Sequence, residues 1–372
     1  MPRNPAIDVL RGVLLLLMTM THLPTVWSTA VGEPLGFISA AEGFVFLSAF
    51  MAGKIFIEHQ ERDGVGAASR WMLGRALRLY LLHLLLLILA FTVVAWIATT
   101  FNRPAARNLL DFYLQSPQRA VVGGVALMYR PPLLDILPMY VLFFLGTPVV
   151  MSAASRWGWR WALGISTAVW VAAQFGLRAW IHVFLEGVTG WDIPLNASGS
   201  FDLYAWQFLW MLGLWFGAIG FGQTRQIVAS TSGMLNIALA ISCALLAWRY
   251  SSGPMGFTDL ARHLFWIDKW TLSPVRVINF AALLLVIIGF GASVSRRLRI
   301  PRVEALGQAS LWVFVAHIAF VLLSLCLIGG DEQPLGGVSG MLLVVAGYLI
   351  LFLTAAIYRS IRRQRARGAP CA

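Results

Sequence analysis

Long apolar segments recur along the whole chain, and they constrain its fold more than any other feature. Of its 372 residues, 59% are hydrophobic and 12% are charged, about half the charged fraction of a soluble domain. A helix needs about 20 apolar residues to cross the hydrocarbon of a bilayer. The sequence predicts an all-α fold, a polytopic integral membrane protein of about ten transmembrane helices. The predicted spans are 7–27, 37–57, 79–100, 133–152, 161–182, 204–222, 233–250, 273–294, 305–328 and 337–358.

The distribution of basic residues predicts the orientation of these spans. Most of the 28 Lys and Arg residues fall in alternate loops, beginning with the N-terminal segment. Cytoplasmic loops carry the excess of Lys and Arg, so an N-in/C-in topology is expected. We predict one transmembrane domain at 1–358, followed by a basic cytoplasmic tail at 359–372. The net charge of +12 lies between apolar runs, which favours the lipid bilayer and argues against nucleic acid as a partner.

The first span carries ionisable side chains, although each costs about 2.5–3.5 kcal/mol at the centre of a membrane helix. Eleven residues separate Arg11 from His22, which corresponds to three helical turns and about 20°. These two side chains therefore share one face, about 16 Å apart along the axis. Asp8 stands three residues before Arg11 on the same stripe. A lone intramembrane histidine can simply bond a neighbouring helix, but a stripe of this kind favours a functional role.

Glu42 is predicted to lie beside His22. It enters the second span about one turn from the outer surface, and a short connector, "TVWSTAVGEPLG", makes the first two helices neighbours. A carboxylate beside an imidazole orients the tautomer and stabilises the imidazolium, as a general base requires. We therefore predict His22, Glu42 and Arg11 as catalytic residues.

Several stretches resemble a known family. "IDVLRGVLLLLMTMTH" is similar to the first-helix motif of the membrane acyltransferase-3 superfamily, in which a basic residue and a histidine stand eleven apart. Within that superfamily the chain resembles the OpgC family, which succinylates osmoregulated periplasmic glucans. The matching stretches include "AAEGFVFLSAFMAG", "LLDILPMYVLFFLGTPVV", "FDLYAWQFLWMLG", "SPVRVINFAALL" and "LGQASLWVFVAH". One departure is Ala49, where the family more usually has glycine; it bears on helix packing.

The resemblance implies a bacterial inner-membrane acyltransferase. Acyl-CoA, as succinyl-CoA or acetyl-CoA, would be the cytoplasmic co-substrate, and a periplasmic glucan would be the acceptor, without a permanently bound cofactor or metal. His22 would act as a general base or would itself carry the acyl group. Donor binding is expected, beside Arg11, at Asp8, Arg75 and Arg78, since guanidinium groups match phosphate oxygens. Acceptor or acyl binding is expected at Asp135, Tyr140, Asp202, Trp206, Gln207, Arg276 and His317.

Two alternative functions remain open from the sequence. One is an O-acetyltransferase that acts on another surface polysaccharide. The other is a small-solute transporter, a class that often uses spans broken by Gly or Pro in two related halves. Pro138 and Pro148 fall in the predicted fourth span, and the sequence shows no matching interruption elsewhere.

Overall fold

The fold is helical throughout the residues that the structure describes. This computed structural model describes residues 5–229, 232–251, 265–295, 300–329 and 333–367. Within those ranges the only β-type pairing is an isolated bridge between Thr25 and Leu335. The predicted all-α class is confirmed for this part of the chain.

Seventeen helices are named here in chain order. The first eight are α1 (Pro5–His22), α2 (Ser28–Val31), α3 (Ala40–Asp63), α4 (Val65–Leu89), α5 (Ala95–Thr100), α6 (Pro104–Leu109), α7 (Asp111–Gln115) and α8 (Pro117–Val125). A π-helical turn, Ala90–Val94, joins α4 to α5. The others are α9 (Ile136–Trp157), α10 (Trp159–Gln174), α11 (Leu177–Thr189), α12 (Leu203–Ala229), α13 (Ser232–Ser251), α14 (Pro274–Ser295), α15 (Pro301–Gln308), α16 (Ser310–Leu325) and α17 (Gly337–Arg367).

The helices are long and apolar enough for a multi-pass membrane protein. Seven in the described ranges meet the length and hydropathy of a span, or nine if each of two bent pairs counts as one. Each of the ten predicted segments coincides with helix, but the count of ten is not confirmed. The described apolar part of α14 is shorter than a full span. The predicted orientation stays a prediction, and part of its basic run at 295–302 lies outside the described residues.

The chain divides into two compact units. The first comprises Met1–Glu33, Leu85–Gln115 and Ala292–Ala372. The second comprises Pro34–Leu84 and Ser116–Gly291. In the first unit α1 packs on α15 and α16 packs on α17; in the second, α12 packs on α3 and α10.

In the first unit, α1 and α15 meet backbone to backbone. A Cβ added to Gly12 would overlap the carbonyl oxygen of Val303, and one added to Gly307 would overlap that of Asp8. Small residues permit this close approach. Immediately afterwards the chain turns, and α16 leaves α15 at 87°.

In the second unit, small residues bring α3 and α12 equally close. Gly213 and Gly217 of α12 face the α3 backbone, and Gly53 of α3 faces Leu214. Ala49 is fully buried, and its Cβ lies where any side chain at Gly213 would have to stand. The glycine on α12 therefore accommodates the alanine that departs from the family pattern.

Two predictions about chain breaks are corrected. The predicted fifth span, 161–182, consists of two helices: α10 ends at Gln174, and α11 continues to Thr189 after a bend of 84°. Gly176 produces the bend, because its φ of +86° lies in the left-handed region that glycine adopts without a Cβ clash. Pro148, by contrast, lies inside an unbroken α9. At the C-terminal end, α17 continues past residue 358 into the predicted tail, whose last residues, 368–372, lie outside the described ranges.

Candidate active site

Two histidines meet in the first unit. His22 is the last residue of α1, and His317 lies in the middle of α16. His22 Nδ1 is 3.0 Å from His317 Nε2, and the rings stack with centroids 5.2 Å apart. His317 is fully buried, whereas His22 is partly exposed. Of the two imidazoles, only that of His22 can be reached by a substrate.

Arg11 contacts the same helix as His22. Its guanidinium donates a hydrogen bond to the hydroxyl of Ser310, the first residue of α16. Eleven residues separate Arg11 from His22, about 16 Å along α1, and seven separate Ser310 from His317, about 10 Å along α16. The long side chain of Arg11 accounts for the difference between these two axial distances. The predicted stripe on α1 thus faces a second stripe on α16.

The remaining residue of the stripe, Asp8, lies one turn before Arg11 in the first turn of α1. Its backbone carbonyl is the group that Gly307 approaches so closely. Asp8 therefore marks the tightest contact between α1 and α15.

Glu42 has two partners in the second unit that the sequence did not predict. Its carboxylate accepts hydrogen bonds from the amide and hydroxyl of Ser39, at 3.0 and 2.5 Å, and forms an ion pair with Arg276 at 2.9 Å. Both members of the pair are buried, at 0% and 4% exposure. Ser39 and Glu42 form the capping box of α3, a pattern in which serine precedes glutamate by three residues. The geometry of Glu42 is therefore that of a helix cap and buried counter-ion in the second unit.

Arg276 is also held by backbone carbonyls. It donates from Nε to Ile267 O at 2.7 Å and from Nη1 to Phe37 O at 2.8 Å. One turn along α14, Asn279 Oδ1 accepts from the Phe37 amide at 2.8 Å. Together these bonds tie the segment before α3 to the start of α14.

Asp135 and Asp202 serve as local acceptors in the second unit. Asp135 Oδ2 accepts from the Ser200 amide at 3.0 Å, and Asp202 Oδ1 accepts from the Tyr204 amide at 2.9 Å. Burial raises the pKa of the Asp202 carboxyl group above its ordinary value, and the bonds from backbone amides oppose that rise. Asp202 caps α12 in this way.

Three further predicted acceptor residues are engaged inside the second unit. Trp206 is completely buried and donates from Nε1 to Trp270 O at 3.0 Å. Gln207 donates to Ser166 O at 2.8 Å, which ties α12 to α10. Tyr140 is buried and packs edge-on against Trp210. None of these three contacts tests a role in acceptor binding, which stays a prediction.

The predicted donor-binding arginines just before the third predicted span lie on α4. Arg75 is partly exposed and Arg78 exposed, and both belong to the second unit. Among the described residues, no group of three or more His, Cys, Asp or Glu side chains is arranged so that it could hold a metal ion.

Comparison with known proteins identifies the family. The profile of the family described as "OpgC protein" matches residues 3–363, nearly the whole chain. The chain belongs to the OpgC family. Comparison with curated proteins and with solved structures gave no match. Membership of the OpgC family indicates a transferase of the acyltransferase type that acts on glucans.

Sequence reasoning missed two contacts of this OpgC-family chain. Ser310 was not singled out, because a serine beside a membrane helix start carries no signal of its own. The capping box was visible as "SAAE" at 39–42 and would have assigned Glu42 a local role.

Proposed function

We propose that this protein is an inner-membrane O-acyltransferase that moves a succinyl group from cytoplasmic succinyl-CoA to a hydroxyl of a periplasmic glucan. The contact between His22 and His317 is the observation that carries the proposal, together with membership of the OpgC family. It supplies a partly exposed imidazole whose protonation pattern is set by a buried neighbour.

The hydrogen bonds of His317 determine which nitrogen of His22 is reactive. His317 Nδ1 lies 3.1 Å from the carbonyl oxygen of Phe314, which can only accept, so Nδ1 carries the proton. In neutral His317, Nε2 is then an acceptor, and His22 Nδ1 donates to it. Neutral His22 consequently has its lone pair on Nε2.

His22 Nε2 would act as a general base in direct transfer. It takes the proton from a sugar hydroxyl as that oxygen attacks the thioester carbonyl carbon. The carbon–sulfur bond then breaks, and the departing thiolate of CoA receives the proton from His22. During the step His317 Nε2 accepts a hydrogen bond from the imidazolium and stabilises it.

The same lone pair would also serve a two-step route. His22 Nε2 attacks the thioester carbonyl carbon and the carbon–sulfur bond breaks. The CoA thiolate takes up the proton that His22 Nδ1 held and leaves as the thiol, and the succinyl-imidazole then passes its acyl group to the sugar oxygen. The sugar proton ends on His22. Protein is supplied with succinyl-CoA alone and freed of unreacted donor before hydroxylamine is added. Release of succinohydroxamate by the wild-type protein, but not by His22→Ala, distinguishes this route from direct transfer.

Arg11 would hold the diphosphate of CoA. Its fork of N–H donors suits phosphate oxygens, and Ser310 holds the guanidinium in place. Asp8, Arg75 and Arg78 remain the further candidates for the donor, and Asp135, Tyr140, Asp202, Trp206, Gln207 and Arg276 those for the acceptor or acyl group.

The test is mass spectrometry of periplasmic glucans from cells that carry the wild-type protein, His22→Ala, or no protein. His59→Ala is the matched control, since His59 belongs to the second unit and pairs with Asp63 near the end of α3. Wild type and His59→Ala should add the mass of succinyl groups, and His22→Ala should not. Addition of acetyl mass instead would change the donor to acetyl-CoA, and glucans identical in all four strains would refute the proposal.

One observation favours the transporter as second candidate. The structure has two sharply bent helix pairs, α10 with α11 and α15 with α16, one in each unit. Broken helices of this kind occur at transporter binding sites. Glucans unchanged between wild type and null, combined with a difference in solute uptake, would support it.

A further inference from the structure

A small cleft in the second unit brings two arginines together. Its interior volume is about 100 Å³, and it is open on one side. Ile181, Leu185 and Leu203 contribute an apolar wall. The charged and titratable side chains that line the cleft are Arg130, Arg178, His182, Glu186 and Tyr204. Ligand pockets for whole drug-sized molecules hold about 300–1,000 Å³. This cleft therefore suits one charged group, with the rest of the molecule outside.

Arg130 presents an unused hydrogen-bonding edge. Its Nε donates to Leu127 O at 2.8 Å, and within the described residues its two terminal nitrogens have no hydrogen-bond partner. Burial, followed by the charge of Arg178, lowers the pKa of Arg130. Two cations that share a cleft repel each other, and a bound anion relieves that repulsion.

Arg178 is fixed at the opposite wall. Its guanidinium donates to the Ser198 hydroxyl at 2.8 Å, to the Ser200 carbonyl at 3.3 Å, and to the carbonyl of Gly199. Neither Arg178 nor Arg130 forms an ion pair with an acid of the described ranges. Asp135 and Asp202 act on these arginines only electrostatically and accept from backbone amides. The Glu186 carboxylate also lines the cleft, without an ion pair to either arginine. The positive charge of the cleft is thus held in place by neutral partners.

The helix beside the cleft, α11, has the amphipathic pattern of a helix that lies on a membrane surface. Exposed apolar side chains of α11 lie at helical spacing on one face: Trp180, Val183, Phe184 and Val188. Arg178 and His182 lie on the face that lines the cleft. With α10 along the membrane normal, the 84° bend between the two helices sets α11 nearly parallel to the membrane plane. An amphipathic helix in that position lies at the level of the lipid headgroups.

We propose that this cleft binds the phosphate of an anionic phospholipid, with Arg130 and Arg178 as the cationic contacts. The Tyr204 hydroxyl, which also has no partner among the described residues, donates a third hydrogen bond. Charge-assisted bonds from guanidinium to phosphate are strong and directional. The lipid tails run along the apolar face of α11, outside the cleft. The site is independent of the succinyl-transfer proposal.

The test is native mass spectrometry of the full-length protein from nanodiscs of equal phosphatidylglycerol and phosphatidylcholine. The wild-type protein should retain phosphatidylglycerol preferentially. Arg130→Gln should weaken that retention about tenfold, since loss of one charge-assisted bond costs at least about 1.4 kcal/mol. Tyr204→Phe, which keeps the ring and removes the donor, should weaken it less. Arg160→Gln, which removes an exposed arginine of α10, should change nothing.

Several outcomes would overturn the proposal. They are equal retention of both lipids by wild type, equal loss in Arg160→Gln and Arg130→Gln, and full retention in both cleft variants. If soluble glycerol 3-phosphate displaces the lipid at equal concentration, the source is a free phosphate ester and not the membrane. Should Arg130→Gln fail to fold, Tyr204→Phe decides alone: unchanged lipid retention in that variant overturns the site.

Discussion

His22 and His317 are separated by 295 residues in the chain, yet His22 Nδ1 lies 3.0 Å from His317 Nε2. The Phe314 carbonyl behind His317 orders the protons of both rings, so the lone pair of neutral His22 lies on Nε2. The imidazole of His22 is partly exposed, whereas that of His317 is fully buried. This division of roles leads to separate expectations for the two residues.

His22→Gln should abolish acyl transfer, because glutamine can neither accept the proton nor carry the acyl group. A positioned general base contributes about 10²–10⁴-fold, and the loss should fall on kcat. Assays with purified protein, succinyl-CoA and glucan would measure it. A variant that retains more than about a tenth of the wild-type kcat would contradict the assignment.

His317→Gln should lower kcat on the order of 100-fold while KM for both substrates changes little, because His317 acts through His22 and not on the substrate. The pH–rate profile should shift as well, since the partner of the imidazolium has changed. His317→Phe, which fills the space without an acceptor, should be at least as slow. An equal loss of thermal stability in both variants, with an unchanged pH profile, would indicate a purely structural residue.

The ion pair between Glu42 and Arg276 should be a stability element. Glu42→Gln or Arg276→Gln alone leaves a buried charge without its counter-ion, which costs about 3–5 kcal/mol. The double variant should recover much of that loss, because neither charge then remains. Thermal unfolding in detergent across this double-mutant cycle would measure the coupling. If the stability losses of the two single variants simply add up in the double variant, Glu42 and Arg276 are not energetically coupled.

Arg276→Lys tests the alternative role of Arg276 in acyl binding. Lysine keeps the charge but not the fork that reaches Ile267, Phe37 and Glu42. We expect lower stability and an unchanged ratio of succinyl to acetyl transfer. If the ratio shifts towards acetyl while the stability stays wild-type, Arg276 holds the succinyl carboxylate.

Gly307→Ala should disturb the contact of α15 with α1. The new Cβ would overlap the Asp8 carbonyl, and overpacking of this kind costs about 1–3 kcal/mol. Gly146→Ala is the matched control, since nothing lies within 4 Å of a Cβ at that helical position. It should be neutral or slightly stabilising. Thermal unfolding of both variants, with acyl transfer as a second readout, would check the difference.

Much of the helical framework was predictable because each membrane span requires a run of about 20 apolar residues, which is visible in the sequence. The face shared by Arg11 and His22 followed from the helical period alone. Their partners did not, since Ser310 and His317 lie far along the chain and periodicity says nothing about which helices meet. The contacts of Glu42 with Ser39 and Arg276 were not predicted, because depth was compared without considering the local cap at Ser39. The bend at Gly176 was missed because a single glycine in a sequence does not show whether its backbone adopts the left-handed conformation.

The bond between Arg11 and Ser310 joins residues 299 positions apart, and this has a consequence for biosynthesis. The ribosome delivers α1 to the membrane first and α16 almost last. An unfinished chain, or one truncated before Ser310, holds His22 without the partner that orders its protons. In the proposed function, the reactive face is therefore completed only when the polypeptide is nearly whole.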